Sequence, residues 1–262
     1  MKYYGGCDVG STYTKAVILD ENGKICADTT IRSKINSEVS AKLAMEEVLA
    51  KVGLTSSEEL GYLIGTGYGR NKVPFADENI SEISCHAMGV HVTDPTVKAI
   101  IDIGGQDAKA IRLDNKGGIK QFFMNDKCAA GTGRFIEVMA RVLETTLDEM
   151  ATLDEQAEDT APISSTCTVF AESEVISQLS KGTDRKSIAR GVHMSVASRA
   201  CGLAYRAGLE KDIVFTGGVA KNAGVVRAVS SVLKTDVIVA PNPQTTGALG
   251  AALFAYEAAT KK

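Results

Sequence analysis

Residues 8–24 read DVGSTYTKAVILDENGK, and residues 102–118 read DIGGQDAKAIRLDNKGG. The two stretches align without gaps, and Val9 and Val17 align with the similar residues Ile103 and Ile111. Self-similarity as dense as this indicates that one structural unit occurs twice in the chain. The identical pairs are Asp8/Asp102, Gly10/Gly104, Lys15/Lys109, Ala16/Ala110, Leu19/Leu113, Asp20/Asp114 and Gly23/Gly117.

Each copy predicts a β-meander followed by a helix. A β-rich run ends in Asp-x-Gly, turns tightly into a second strand, and turns again at an Asp/Asn/Gly cluster into a third. Helical periodicity follows each set of three strands. The predicted strands are 3–9, 13–19 and 24–32 in the first copy and 98–103, 108–113 and 119–124 in the second, with helices over 37–51 and 133–143.

The remaining pattern predicts an α/β chain with two halves. The first half is expected to span 1–97 plus 246–262, and the second 98–245. Further strands are predicted over 60–66, 213–216 and 237–240, and further helices over 81–92, 148–156, 169–181, 185–208, 220–233 and 246–259.

Composition excludes several classes of function. The chain has 262 residues, 44% hydrophobic and 23% charged, which is typical of a globular protein. A net charge of −3 and a pI near 5.7 disfavour nucleic acid as a partner. No apolar run could span a bilayer, and the first residues lack the apolar core of a signal peptide, so we expect a cytoplasmic protein without a membrane partner.

The two Asp-x-Gly turns are candidate phosphate-binding loops. Glycine allows backbone N–H groups to approach an anion closely, and hydroxyl and lysine side chains add donors and charge. Asp8 and Asp102 are the expected holders of Mg²⁺ through water. Two ordinary hairpins would show the same residues, although the duplication disfavours that reading. The candidate nucleotide-binding residues here are Gly10, Ser11, Thr12, Tyr13, Thr14, Lys15, Gly104 and Gly105.

A third glycine turn supports the nucleotide hypothesis. Residues 214–222, VFTGGVAKN, predict a strand, a turn at Gly217 and Gly218, and a helix start near Lys221. Gln106 is our candidate for orienting an attacking water, with a neutral hydrogen-bonding role as the alternative. Gln244 either contacts the nucleotide or caps the last helix.

The six cysteines contain no Cys-x-x-Cys pair, which disfavours a zinc ribbon or a cluster held within one chain. Cys128 and Cys167 lie in small, polar surroundings that the pattern places immediately before helices, a favourable position for a thiolate. Two thiolates cannot complete a four-cysteine cluster, but a symmetric dimer would supply four. Structural or redox-sensing roles remain open for both. Cys7, Cys26, Cys85 and Cys201 are predicted to be packing residues, and His86, His91 and His193 surface or locally bonded residues.

Several motifs together closely resemble the activators of 2-hydroxyacyl-CoA dehydratases and the related ATPase subunits of benzoyl-CoA reductases. The resemblance covers essentially the whole chain, apart from residues 20–60, which carry no motif. The motifs are NDKCAAGTGRF at 125–135, SSTCTVFAESEVISQLSK at 164–181, IDIGGQD at 101–107, GTGYGR at 65–70 and SCHA at 84–87.

The resemblance implies an actin-like ATPase fold (ASKHA, ribonuclease H-like), shared with actin, heat-shock chaperones and hexokinase, with ATP or ADP and Mg²⁺ in a cleft between the two halves. It also implies a homodimer with one [4Fe-4S] cluster, ligated by Cys128 and Cys167 of each copy. In this family ferredoxin or flavodoxin reduces the cluster, and ATP hydrolysis accompanies transfer of one low-potential electron to the dehydratase.

Other functions remain open at this stage. Within the family, the electron acceptor could be a benzoyl-CoA reductase or a double-cubane cluster protein. A small-molecule kinase of the same fold would need an acceptor pocket with a carboxylate base, for which the sequence offers no convincing candidate. A non-redox actin-like or chaperone ATPase is the other alternative. The kinase alternative also leaves Cys128 and Cys167 unexplained.

Overall fold

The computed structural model describes residues 2–209 and 211–260. They form two compact units. Unit 1 comprises the described parts of 1–97, 113–119 and 244–262, and unit 2 those of 98–112 and 120–243. None of the helices within these described ranges has the length and apolar character needed to cross a membrane.

Each unit begins with three consecutive strands, and helices follow them. The strands are β1 (Tyr4–Val9), β2 (Tyr13–Leu19), β3 (Ile25–Arg32), β4 (Tyr62–Thr66), β5 (Glu78–Asn79), β6 (Ala99–Ile103), β7 (Ala108–Leu113), β8 (Ile119–Asn125), β9 (Ile213–Thr216) and β10 (Ile238–Val239). The helices are α1 (Ser37–Lys51), α2 (Glu82–Thr93), α3 (Gly133–Val142), α4 (Leu147–Glu155), α5 (Thr168–Ser180), α6 (Arg185–Ala207), α7 (Ala223–Leu233) and α8 (Thr246–Thr260).

Unit 1 is built on a five-stranded sheet in the order β3-β2-β1-β4-β5. Successive side chains of a strand point to opposite faces, so β2 can be buried on both. Ala16 and Ile18 belong to a core cluster that includes α1 residues such as Ala44. Val17 belongs to a cluster that includes Ala248 of α8. Helices therefore cover both faces of the first meander.

Unit 2 repeats this plan with a sheet in the order β10-β9-β6-β7-β8. Its core cluster joins β6 and β7 to α3, α6 and α7, with Phe135, Val196 and Val229 among the fully buried members. β9 runs parallel to β6, as β4 runs parallel to β1.

The predicted duplication is confirmed in the hydrogen bonds as well as in the strand order. Asp8 pairs with Lys15 across β1 and β2, and Asp102 pairs with Lys109 across β6 and β7. The second turn is repeated too: the Oδ1 atom of Asp20 accepts from the amides of Asn22 and Lys24, and that of Asp114 from Lys116 and Gly118.

Most predicted elements are confirmed to within two residues, but the helix expected over 220–233 is wrong at its start. A short 3-10 turn covers Gly218–Lys221, and α7 begins only at Ala223. Asn222 has an extended backbone, and its side chain accepts from the amide of Val225, so it caps a new helix. The two-residue strand β5 was not predicted.

Candidate functional site

The first hairpin contains a buried carboxylate, and one of its oxygens has no hydrogen-bond partner among the described residues. The amide of Gly10 donates to the carbonyl of Tyr13 at 3.1 Å and closes the turn. Lys15 Nζ lies 3.0 Å from Asp8 Oδ2. Asp8 is only 1% exposed, and its Oδ1 atom has no hydrogen-bond partner among the described residues.

The second hairpin has an equivalent backbone hydrogen bond in its turn, but both oxygens of its buried carboxylate have partners. The amide of Gly104 donates to the carbonyl of Asp107 at 2.9 Å. Lys109 Nζ lies 3.1 Å from Asp102 Oδ2 and also contacts the Asp107 carboxylate. The hydroxyl of Thr216 donates to Asp102 Oδ1 at 2.8 Å. Both carboxylate oxygens of Asp102 therefore have partners, whereas in Asp8 only Oδ2 has one among the described residues.

This difference bears on which residue fits a magnesium ion. A buried carboxylate oxygen without a hydrogen bond is costly unless a ligand satisfies it. Mg²⁺ takes oxygen ligands and keeps several waters. Asp8 fits that role through its Oδ1 atom, which has no hydrogen-bond partner among the described residues. Asp102 is already paired with Lys109 and accepts a hydrogen bond from Thr216 within unit 2.

A Thr-Gly turn accompanies each buried aspartate. Asp8 is paired with Thr66 on the parallel strand β4. Gly67, the next residue, has φ +88°, and its missing side chain leaves room for Asp8 Oδ1. In unit 2, Thr216 and Gly217, with φ +87°, lie beside Asp102 in the same way. Gly217 was among the nucleotide-binding residues expected from the sequence. Thr66, Gly67 and Thr216 lie in motifs noted there but were assigned no role, although a Thr-Gly pair follows a strand in both copies.

The other candidate nucleotide residues lie at different depths. Thr14 is buried, and its hydroxyl lies 2.9 Å from Ser33 Oγ, so it links the first hairpin to the segment that follows β3. Gln244 precedes α8 and is half-buried. Ser11, Gln106 and Lys221 are exposed, and Thr12, Tyr13, Gly105 and Gly218 are half-buried.

Cys167 is the N-cap residue of α5, as predicted, and is half-buried. Its loop is held from two sides. The amide of Ser164 donates to Glu174 Oε2 at 2.6 Å, and the carbonyl of Ser164 accepts from the hydroxyl of Ser195 at 3.0 Å. The side chain of Phe170, three residues after the cysteine, is 64% exposed.

The prediction that Cys128 immediately precedes a helix is wrong. The N-cap of α3 is Thr132, and residues 128–132 form a separate turn. The side-chain amide of Asn125 shapes that turn, because it donates to the carbonyls of Cys128 at 2.9 Å and Ala130 at 3.2 Å. Gly131 adopts φ +83°, which a residue with a side chain rarely does.

The first amides of α3 point at the second hairpin. The amide of Gly133 donates to the carbonyl of Gly104 at 2.9 Å, and that of Arg134 to the carbonyl of Gly105 at 2.8 Å. A Cβ atom at Gly133 would lie 3.1 Å from Gly104 O and 3.2 Å from Val219 Cγ2. Helix α3, which follows the Cys128 turn, is therefore bonded directly to the second candidate phosphate loop.

Three of the remaining cysteines are packing residues, as expected. Burial raises the pKa of Cys85 and of Cys201 to about 12. Burial also raises the pKa of Cys7, well above the ordinary range of a thiol. Cys26 is an exception: it is exposed on β3, so the packing role predicted for it is wrong.

Two histidines are buried, each beside a carboxylate, so the surface alternative is wrong for them. His86 Nε2 lies 3.8 Å from Glu82. His193 Nδ1 lies 3.3 Å from Asp154, which also accepts from Arg190 and Arg227. Burial would raise the pKa of Asp154, but His193 and the two guanidinium groups outweigh it and hold this pKa below its ordinary value.

The paired meanders, each with a buried aspartate beside a Thr-Gly turn, define an ATPase of the actin-like fold. A glucokinase from Streptomyces griseus, whose structure contains glucose and AMPPNP, shares this fold with a TM-score of 0.57 at 15% identity, covering 97% of this chain and 99% of its own. At that identity the likeness concerns the fold alone.

The chain belongs to the BadF/BadG/BcrA/BcrD ATPase family, whose model matches residues 6–255. It is 70% identical to an activator of lactoyl-CoA dehydratase from Anaerotignum propionicum, over 99% of this chain and 100% of the relative. The activator of 2-hydroxyisocaproyl-CoA dehydratase from Clostridium difficile, solved with bound ADPNP, superposes with a TM-score of 0.93 at 47% identity, covering 99% of this chain and 96% of its own. Component A of (R)-2-hydroxyglutaryl-CoA dehydratase from Acidaminococcus fermentans gives a TM-score of 0.93 at 48% identity, with 99% of both chains covered.

Proposed function

We propose that this ATPase drives single electrons into a 2-hydroxyacyl-CoA dehydratase through a [4Fe-4S] cluster held between two copies of the chain. The observation that carries the proposal is the pair of backbone hydrogen bonds from Gly133 and Arg134 to Gly104 and Gly105. They attach α3, the helix that follows the Cys128 turn, to a candidate phosphate loop, so a nucleotide-dependent shift of that loop would be passed through α3 to the turn that carries Cys128.

Cys128 and Cys167 fit a shared cluster. Both are half-buried on loops, whereas Cys7, Cys85 and Cys201 are fully buried with raised pKa values. A [4Fe-4S] cluster takes four thiolates, and two equivalent chains related by a two-fold axis supply them. When bound, the cluster would store the low-potential electron.

Apolar side chains near both cysteine segments support a second copy as the neighbour. Val169 and Phe170, which begin α5 after Cys167, are 65% and 64% exposed. Phe122 and Met124, on the strand that leads to Cys128, are 47% and 43% exposed. Large apolar side chains that neighbour one another along an exposed segment are typical of a protein interface.

The nucleotide side of the proposal assigns separate roles to the two hairpins. Asp8 would hold Mg²⁺ through water, and Lys15 Nζ, 3.0 Å from Asp8 Oδ2, orients the Asp8 carboxylate. Asp102, fixed by Lys109 and Thr216, supports the second phosphate loop. Gln106 is exposed at the tip of that loop, where it can orient water. The other proposed contacts are Gly10, Ser11, Thr12, Tyr13, Thr14, Gly104, Gly105, Gly217, Gly218, Lys221 and Gln244.

For the partner, we propose a dehydratase of a short 2-hydroxyacyl-CoA, with lactoyl-CoA as the first substrate to test and ferredoxin or flavodoxin as the electron donor. The support is the 70% identity to an activator of lactoyl-CoA dehydratase over nearly the whole of both chains. A benzoyl-CoA reductase or a double-cubane protein is the alternative acceptor.

The test is an anaerobic activation assay. The protein is mixed with a purified, inactive lactoyl-CoA dehydratase, a reductant and Mg·ATP, and dehydration of lactoyl-CoA is followed. We expect activity that requires hydrolysable ATP and is lost in Cys128→Ser and Cys167→Ser. Activity that persists in both cysteine variants would contradict the proposed electron path. Transfer to a benzoyl-CoA reductase but not to the dehydratase would replace the partner.

A further inference from the structure

We infer that Asn125 and Glu174 are positioning residues, each dedicated to one of the two cysteine segments. The inference rests on the proposed function for its purpose, but it concerns groups whose contacts are defined in the chain itself. Neither residue was among the site residues expected from the sequence.

Asn125 fixes the turn that carries Cys128. It is the last residue of β8, and its Nδ2 atom donates to the carbonyl of Cys128 at 2.9 Å and to that of Ala130 at 3.2 Å. A side-chain amide has two donors in a fixed plane, which matches two carbonyls of one turn. Two bonds from one planar group orient the peptide that leads out of Cys128, and hence the direction of its side chain.

Glu174 fixes the loop that carries Cys167. Its Oε2 atom accepts from the amide of Ser164 at 2.6 Å, a short bond of the kind that a charged acceptor makes. Glu174 lies on α5, the helix that Cys167 caps, so the bond closes the 164–167 loop back onto that helix. Ser195 of α6 completes the arrangement by donating to the carbonyl of the same residue, Ser164.

The hydrogen bonds of Asn125 and Glu174 all act on backbone at the loops that carry the cysteines, outside the fully buried core. Asn125 and Glu174 are half-buried, while α5 is anchored by the fully buried side chains of Ala171 and Val175. A role in general stability would affect both cysteines equally, whereas a positioning role affects each cysteine separately. That selectivity is the signature to measure.

The experiment measures thiol alkylation of the full-length chain, prepared without iron, by iodoacetamide with peptide-resolved mass spectrometry. Loss of one or two hydrogen bonds predicts that Asn125→Ala accelerates labelling of Cys128 about three- to tenfold and that Glu174→Ala does the same for Cys167. The other cysteine in each variant should stay within about twofold of the wild type. Glu174→Gln, which keeps a carbonyl acceptor, should restore most of the wild-type rate at Cys167.

The chain offers matched controls for both variants. Glu172→Ala removes a half-buried carboxylate on the same helix, two residues before Glu174, and Gln121→Ala changes an exposed amide on the same strand as Asn125. Both controls should leave the two labelling rates unchanged. Equal acceleration of both cysteines in either variant, no acceleration in either, or an equal effect of the controls would overturn the inference.

A second measurement separates this inference from the proposed function. In anaerobically isolated protein, we expect a chelator to extract iron faster from Asn125→Ala and Glu174→Ala than from the wild type and the controls. Equal extraction rates would refute the positioning role while leaving the cluster in place. Wild-type protein without iron would refute the proposed function instead, and the labelling rates would still decide the roles of Asn125 and Glu174.

Discussion

The substitutions Asp8→Asn and Asp102→Asn should have different effects on stability, although the two aspartates occupy equivalent positions. Asp102 Oδ2 pairs at 3.1 Å with Lys109, whose side chain is 1% exposed. Asp8 Oδ2 pairs at 3.0 Å with Lys15, whose side chain is 18% exposed. Loss of the carboxylate charge therefore leaves a buried ammonium in unit 2 but a water-accessible one in unit 1.

Removing one partner of a buried ion pair typically costs about 3–5 kcal/mol. Lys109 keeps its contact with Asp107, so we expect the lower end for Asp102→Asn, about 3 kcal/mol. That corresponds to a fall in melting temperature of about 6–12 °C. In Asp8→Asn, the lost pairing with Lys15 is offset by relief of the open, buried Oδ1 charge, so we expect a change within about 1 kcal/mol, or 4 °C.

The assay is thermal unfolding followed by circular dichroism, with and without Mg·ADP and with EDTA as a comparison. The wild type should gain stability from Mg·ADP, by about 2.7 kcal/mol at a hundredfold excess over the dissociation constant. Asp8→Asn should fold normally and lose the part of that gain that depends on Mg²⁺.

Two results would refute this reasoning. One is an Asp102→Asn protein as stable as the wild type, which would mean that the Lys109 contact does not hold the second hairpin together. The other is an Asp8→Asn protein that retains the full Mg²⁺-dependent stabilisation, which would remove Asp8 from the metal site.

Further predictions concern coupling, pH and the cysteines. Gly133→Ala places a Cβ atom 3.1 Å from Gly104 O. Because this strains about one hydrogen bond, we expect a folded protein that binds nucleotide about fivefold more weakly, as measured by calorimetry. Unchanged affinity would contradict the coupling between α3 and the second phosphate loop. Because the folded-state pKa of Asp154 is lowered, its stabilisation is present above the unfolded pKa of about 3.9 and is lost as pH falls through the folded value. Asp154→Asn should therefore lower the free energy of unfolding at neutral pH, as measured by urea unfolding. It should also reduce the fall of that free energy as pH is lowered into the acid range. The same fall in the variant as in the wild type would contradict this role of Asp154. Cys128→Ser and Cys167→Ser should lose iron but keep the thermal shift with Mg·ADP; a lost shift would mean that these cysteines support the fold.

The duplicated hairpins were predictable from the sequence because their signals are local. Asp20 and Asp114 each bind the amides of their own turns, so a few adjacent residues determine the structure. Helix α1 was predicted with its correct ends from the helical periodicity of its residues, and in the structure the side chain of Asn36 caps its start.

Other features depend on contacts between distant residues, which a single sequence does not display. Lys15 and Lys109 are identical residues at equivalent positions, yet tertiary packing buries only the second completely. The Cys128 turn was missed because it depends on hydrogen bonds from the side chain of Asn125 to the carbonyls of Cys128 and Ala130, which the residue pattern does not display. The bonds between α3 and the second hairpin join backbone atoms, which leave no mark in the residue pattern.

The proposed function requires that two copies of this chain assemble one iron–sulfur cluster from Cys128 and Cys167. Iron, acid-labile sulfide and molar mass can all be measured on protein purified without oxygen. We expect a dimer with about four iron atoms and four sulfides per two chains, and iron-free protein when either cysteine is replaced by serine. A monomer without iron, or a cluster that survives both substitutions, would contradict it.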